Sequence, residues 1–207
     1  DHKKRFASWQ EDGDDDFGLF DRLSNSGVLR AALDKDINVI NNSSMGRLFD
    51  AAAALLDIAK KNEYEGYAPM MLQKTAEKYE RLFEGNVNAA GIPIIESGGC
   101  LYGDAPAFIY ELYRLNTKGH SKEEVAYLFH EGVSSFIADM SAALIDKYRL
   151  KSLVALSGGT LANSLLLRLL IRKLKEKGIE YRLNECVPPG DGGLALGQVY
   201  GAIVNEM

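Results

Sequence analysis

The sequence predicts an α/β fold: a mixed sheet flanked by helices, with a largely helical insertion from about Phe17 to Tyr148. Three observations carry this. An apolar run ending at Ser157 meets Gly158-Gly159, and apolar residues then recur at helical spacing from Leu161 to Lys175, the pattern of a buried strand turning tightly into a helix. A second short apolar stretch, near Ile179 to Leu183, leads through Pro188-Pro189-Gly190-Asp191-Gly192-Gly193 into a last helix, Leu194 to Ile203. Between these strands and the N-terminus, apolar residues recur mainly three and four apart.

In chain order, Asp1 to Asp16 is polar, with acidic residues at Asp12, Asp14, Asp15 and Asp16, and reads as a solvated, mobile terminus. Phe17 to Val39 supplies one or two helices with Leu19, Phe20, Leu23, Val28, Leu29, Ala32 and Leu33 as the expected buried positions. Asn41 to Ser44 is a helix-start signal, after which Met45, Leu48, Phe49, Ala52, Ala53, Leu55 and Leu56 form an apolar stripe. Tyr64 to Tyr67 turns into a helix from about Pro69 to Phe83. Gly98-Gly99, between two short apolar stretches, predicts a β-hairpin, and Asp104 caps the helix that follows. Ser121 and Glu124 form a capping box that opens a long helix ending near Lys147, with His130 read as a hydrogen-bonded core histidine. In the last helix, Leu194, Leu196, Gly197, Val199 and Ala202 are expected to pack on the sheet.

Composition narrows the function classes. With 46% hydrophobic and 26% charged residues among 207, the chain reads as an ordinary globular protein able to bury a core. A net charge of −5 argues against a nucleic-acid surface covering the whole domain; Arg168, Arg172, Lys173, Lys175 and Lys177 could form a local basic patch but read first as the solvated face and C-terminal turn of a helix. The alanine-rich run Ala51 to Ala59 is too short to cross a membrane. Cys100 and Cys186 form no CxxC pair, which predicts a reduced, cytoplasmic protein. The chain starts at Asp1 without Met, and the expectation is a piece of something longer. His2, His120 and His130 provide no histidine pair with metal-ligand spacing.

Site chemistry concentrates in the glycine segments. Gly158-Gly159 lets a ligand approach the backbone, and the helix start behind it favours an anion. Asn163 offers both a donor and an acceptor. Asp191, at the start of the last helix, either caps it or binds a metal. Gly46 occupies a helix first turn where glycine costs about 1 kcal/mol relative to alanine. Arg47 and Asp50, three apart, read first as an ion pair and second as ligand contacts.

Taken together, Ser43-Ser44-Met45-Gly46-Arg47-Leu48-Phe49-Asp50-Ala51, Tyr64-Glu65-Gly66, Phe129-His130, the VALSGG stretch with Asn163, and VPPGDGGLALGQ from Val187 to Gln198 resemble the HypF family, the carbamoyltransferases that mature [NiFe]-hydrogenases. The resemblance runs from Asn41 to the C-terminus. It implies that residues 1–207 are the C-terminal lobe of a domain with the actin-like ATPase (ribonuclease H-like) fold, shared with tRNA threonylcarbamoyl transferases and antibiotic O-carbamoyltransferases. It also implies transfer of a carbamoyl group from carbamoyl-adenylate, made from carbamoyl phosphate and ATP, to the C-terminal cysteine of a HypE-like acceptor.

By this matching, Gly46 and Asp50 lie at the nucleotide's ribose, with Arg47 and Glu65 as further candidates. Gly158, Gly159 and Asn163 lie near its phosphates and acyl group, and Asp191 is a ligand of a divalent metal whose other ligands belong to a preceding lobe. Hence the fragment alone is expected to be inactive. Thr160-Leu161-Ala162 departs from the family's Val-Phe-Gln, and Gln73 stands where Glu is usual. The alternatives are a tRNA-modifying or small-molecule carbamoyltransferase, and a non-catalytic interaction domain of the same fold.

Overall fold

A computed structural model of the chain describes residues 26–40, 42–82 and 91–205. The expected mobile terminus, and Leu19, Phe20 and Leu23, lie outside the described residues. The chain divides into two compact units, Asp1–Ser43 and Ser44–Met207. In the first, helix α1 (Ser26–Asp34) forms within the predicted segment, but Val28, Leu29 and Leu33 are exposed rather than buried. Its apolar stripe shows that a helix forms, not what covers it.

The second unit runs α2 (Met45–Leu55), α3 (Tyr67–Glu80), β1 (Ile94–Ser97), β2 (Cys100–Gly103), α4 (Ala105–Thr117), α5 (Lys122–Tyr148), β3 (Leu153–Leu156), a 3₁₀ turn (Gly159–Ala162), α6 (Ser164–Glu176), β4 (Glu180–Leu183), a second 3₁₀ turn (Asp191–Gly193) and α7 (Leu194–Asn205). Local chemistry sets most of these boundaries. Gly66, at φ +81, bends the chain into α3. Gly98 and Gly99 both take positive φ, as a two-residue hairpin turn requires, and β1 pairs antiparallel with β2, Ser97 opposite Cys100. The Asp104 carboxylate accepts from the Ala107 amide at 3.3 Å, and the Ser121 hydroxyl from the Glu124 amide at 3.1 Å.

Helix α5 is the axis of this unit. Every residue from Val125 to Ser134 is buried, because α3 and α6 pack along it and α2 and α4 close over its N-terminal half. Phe49 of α2 meets Phe129 of α5 edge-to-face at 4.7 Å, with Phe108 of α4 on Phe129 at 5.8 Å. Further along α5, Ala138 joins Leu170, Leu174, Leu156 and Ile179 in the core beneath β3 and β4. Each large aliphatic side chain buried there contributes about 1.5–3 kcal/mol of transfer free energy.

β3 and β4 pair in parallel, Leu153 opposite Glu180 and Leu156 opposite Leu183, with α6 as the connection. Both strand senses are therefore present, divided between two two-stranded sheets. Helix α7 forms as expected but does not pack on the sheet: Leu194 is 62% and Val199 57% exposed, and Leu196 is exposed as well. The apolar side of this pair that the core uses is already taken by Ala138 of α5 and Leu170 and Leu174 of α6. No helix among the described residues is long and apolar enough to cross a membrane.

Candidate functional site

The two glycine segments meet. The Gly158 amide donates to the Pro189 carbonyl at 2.8 Å, and the Ser157 hydroxyl reaches the same oxygen at 3.4 Å. Gly158 adopts φ +112 and ψ 153, a region open essentially to glycine alone. A Cβ added at Gly158 or Gly159 would meet nothing within 4 Å, so the space beside the turn is open. Because the Gly158 amide is already engaged, the donors left for an anion are the following amides that open the 3₁₀ turn. At Gly193 a Cβ would lie 2.6 Å from the Pro188 carbonyl oxygen, so only glycine permits this tight loop.

Asn163 ends the 3₁₀ turn and caps α6. Its Oδ1 accepts from the Leu166 amide at 2.9 Å, and its Nδ2 lies 3.0 Å from His130 Nε2. His130 Nδ1 lies 2.7 Å from the Ala126 carbonyl. Burial pushes His130 down to about 4, against smaller upward pulls from the Ala126 bond and the Glu77 charge, so the ring is neutral at pH 7. The reading of His130 as a hydrogen-bonded core histidine holds, and its partner proves to be a candidate site residue. Phe49, between Arg47 and Asp50 on α2, stands edge-on to the His130 ring at 5.4 Å and links the α2 candidates to Asn163.

Arg47 and Asp50 form the ion pair read first, Nη1 to Oδ2 at 2.7 Å. The other Asp50 oxygen accepts from Asn62 Nδ2 at 3.3 Å, and Asn62 Oδ1 accepts from the Ala68 amide at 2.9 Å. Asp50 thus helps fix the turn into α3. A Cβ at Gly46 would meet only the Ser44 hydroxyl, at 3.6 Å, leaving that face of α2 open. Glu65 is exposed. Gln73 donates to Ser164 at 2.9 Å and to Glu77 at 2.8 Å, which sets this departure from the family pattern one residue from Asn163.

Asp191 is exposed and begins the second 3₁₀ turn, which places it three residues before Leu194, the first residue of α7, and therefore not at the position next to that helix. No group of three His, Cys, Asp or Glu residues among the described residues is arranged to hold a metal ion. Asp191 therefore belongs to no such group among the described residues. A concavity of about 810 Å³ lies along β4, lined by Lys175, Tyr181, Arg182 and Glu185 among others, and the Gly158-Gly159 turn is not part of its lining.

Four of the five basic residues on and just after α6 are ion-paired. Lys173 pairs with Glu131 at 2.7 Å, Arg172 with the same carboxylate, Arg168 with Glu80 at 2.6 Å and Lys177 with Asp139 at 2.7 Å. Glu131 is 1% exposed and also accepts from Tyr127. Neither this cluster nor the His130–Asn163 contact is visible in sequence spacing, since the partners lie 41 and 33 residues apart.

Comparison with known proteins defines the class. The sequence model described as "Carbamoyltransferase, Kae1-like Domain, second subdomain" matches residues 7–198. The chain is 37% identical to the carbamoyltransferase HypF of Rhizobium leguminosarum bv. viciae over 75% of its length and 19% of the relative's. It is 30% identical to carbamoyltransferase HypF2 of Cupriavidus necator over 92% of its length and 26% of the relative's. The crystal structure of a full-length HypF in its phosphate- and nucleotide-bound form superposes with a TM-score of 0.76 at 30% identity, covering 89% of this chain and 24% of that one. The chain belongs to the HypF carbamoyltransferase family and has the mixed α/β, actin-like fold of its Kae1-like domain. It spans about a fifth to a quarter of the length of these relatives.

Proposed function

We propose that the chain forms part of an enzyme that transfers a carbamoyl group from carbamoyl-adenylate, made from carbamoyl phosphate and ATP, to the C-terminal cysteine thiol of a HypE-like acceptor protein in [NiFe]-hydrogenase maturation. The observation that carries this reading is the tie between the SGG turn and the PPGDGG loop in a chain of this family. A relative solved with phosphate and nucleotide bound supports it.

In this reading the amides after Gly158 receive the adenylate phosphate, and Asn163 offers its remaining donor to the phosphate or acyl oxygen. Gly46 and Asp50 face the ribose, with Arg47 beside them. The sulfur–carbon bond forms as the carbon–oxygen bond to the AMP phosphate breaks, and the thiol proton passes to solvent. Asp191 supplies one ligand of a divalent metal; this chain's described residues do not supply a complete site. A protein acceptor rather than RNA accords with the ion-paired basic face of α6. The proposal includes a cytoplasmic setting, supported by two free, exposed cysteines.

The test is calorimetric titration of the native-length protein with ADP and a non-hydrolysable ATP analogue, with and without divalent metal, beside an Asn163→Ala variant. Binding that weakens about tenfold in the variant is expected, the worth of one directed hydrogen bond in a partly dry site. Absence of nucleotide binding by the wild type sinks the reading.

A further inference from the structure

The donors and acceptors around Asn163 admit one assignment. The Leu166 amide can only donate, so the oxygen of the Asn163 amide faces it and the nitrogen faces His130. That nitrogen can only donate, so His130 Nε2 carries no proton. The proton therefore sits on Nδ1, where the Ala126 carbonyl accepts it. The ring itself is fully buried, edge-to-face with Phe49 at 5.4 Å and with Phe129 at 5.6 Å. Asn163 is 9% exposed, and after these bonds it retains one N–H and one oxygen lone pair.

We propose that His130 is a positioning residue: its neutral Nδ1–H tautomer fixes the orientation of the Asn163 amide so that the remaining N–H is presented to a phosphate or acyl oxygen at the Gly158-Gly159 turn. This rests on the functional reading above, which makes Asn163 a ligand contact. The Leu166 amide holds the oxygen and the His130 Nε2 acceptor holds the nitrogen, so the two bonds together keep the Asn163 amide in one orientation. A histidine that merely fills space would need no acceptor facing Asn163.

Two substitutions separate positioning from packing. His130→Asn places a donor near the Nδ1 position and loses the acceptor for Asn163; His130→Gln places an acceptor near the Nε2 position and loses the bond to Ala126. Both remove the ring and part of its volume, so a structural role predicts that both lower the melting temperature and affect nucleotide titration alike. Positioning predicts that in the native-length protein His130→Asn weakens binding of the ATP analogue about tenfold, as Asn163→Ala does, whereas His130→Gln stays within about threefold of wild type. Nitrogen chemical shifts of the wild-type His130 ring supply a measurement independent of variant folding, with the Nδ1–H tautomer expected. An Nε2–H tautomer, or equal affinities of the two His130 variants, overturns the proposal while leaving the nucleotide reading standing if Asn163→Ala still weakens binding. Unchanged affinity in Asn163→Ala overturns both the Asn163 contact and its positioning.

Discussion

Gly158 and Pro189 are joined by a 2.8 Å hydrogen bond from amide to carbonyl, and this bond makes one structural unit of two loops that sequence order separates by a helix and a strand. It needs Gly158 at φ +112, a conformation that costs a side-chain-bearing residue about 1–3 kcal/mol even with open space around its Cβ.

Gly158→Ala is therefore expected to lower stability by about 1–3 kcal/mol in urea denaturation. Gly159 has no positive φ and equally open surroundings, so Gly159→Ala is expected to leave stability within about 0.5 kcal/mol. The same Cβ would project beside the proposed phosphate position and weaken nucleotide binding. A Gly159→Ala protein that is both stable and fully competent in binding would move the nucleotide away from this turn.

Glu131 offers a second test. Its buried carboxylate collects Arg172, Lys173 and Tyr127, while burial and then the Glu131 charge raise the Tyr127 phenol. For Arg172, burial alone would lower the guanidinium, but its pairing with Glu131 outweighs that and it is raised. Glu131→Gln removes the charge between two cations at the α5–α6 contact. The expected loss is about 3 kcal/mol, the low end for breaking a buried pair because the Arg172 side chain is 41% exposed and can turn to water. Denaturant titration measures it, and a loss below about 1 kcal/mol would show that solvent already screens the cluster.

What the sequence made legible was chemistry acting within one turn. Ser121, Asp104 and Gly98-Gly99 each set a boundary through a side chain or a φ preference next to it in the chain, and each did so in the structure. The Arg47–Asp50 pair was readable for the same reason. What no local pattern carried was which element covers which. The apolar residues of α7 marked a helix and were expected on the sheet, yet they are exposed. His130 was legible as buried and bonded, but its bond to Asn163 exists only because α5 and α6 pack side by side.

The burial of His130 gives stability a pH dependence with a definite sign. His130 titrates near 6.5 in the unfolded chain and at about 4 when folded, so below pH 6.5 the unfolded state binds a proton that the folded state refuses. Stability is at its full value above about pH 6.5 and declines as the pH falls toward 4, by roughly 3 kcal/mol from this group. Denaturation at pH 7 and at pH 4.5, compared between wild type and His130→Gln, isolates the contribution from that of the carboxylates. The slope should be shallower in the variant; equal slopes would mean that His130 is protonated as easily folded as unfolded.

Asp191 separates stability from function most cleanly. Its carboxylate is exposed and stands at the head of a 3₁₀ turn whose cap is Gly190, so Asp191→Asn is expected to shift folding stability by no more than about 0.5 kcal/mol. Gly193→Ala, two residues on, forces a Cβ to within 2.6 Å of the Pro188 carbonyl oxygen and is expected to distort the same loop. If Asp191 is a metal ligand, both changes reduce the metal-dependent part of nucleotide affinity in the native-length protein, Asp191→Asn by removing a charged oxygen and Gly193→Ala by moving it. Only the second also lowers the melting temperature. An Asp191→Asn protein with undiminished metal dependence would assign the ion entirely to other residues and leave this loop the single task of anchoring Gly158.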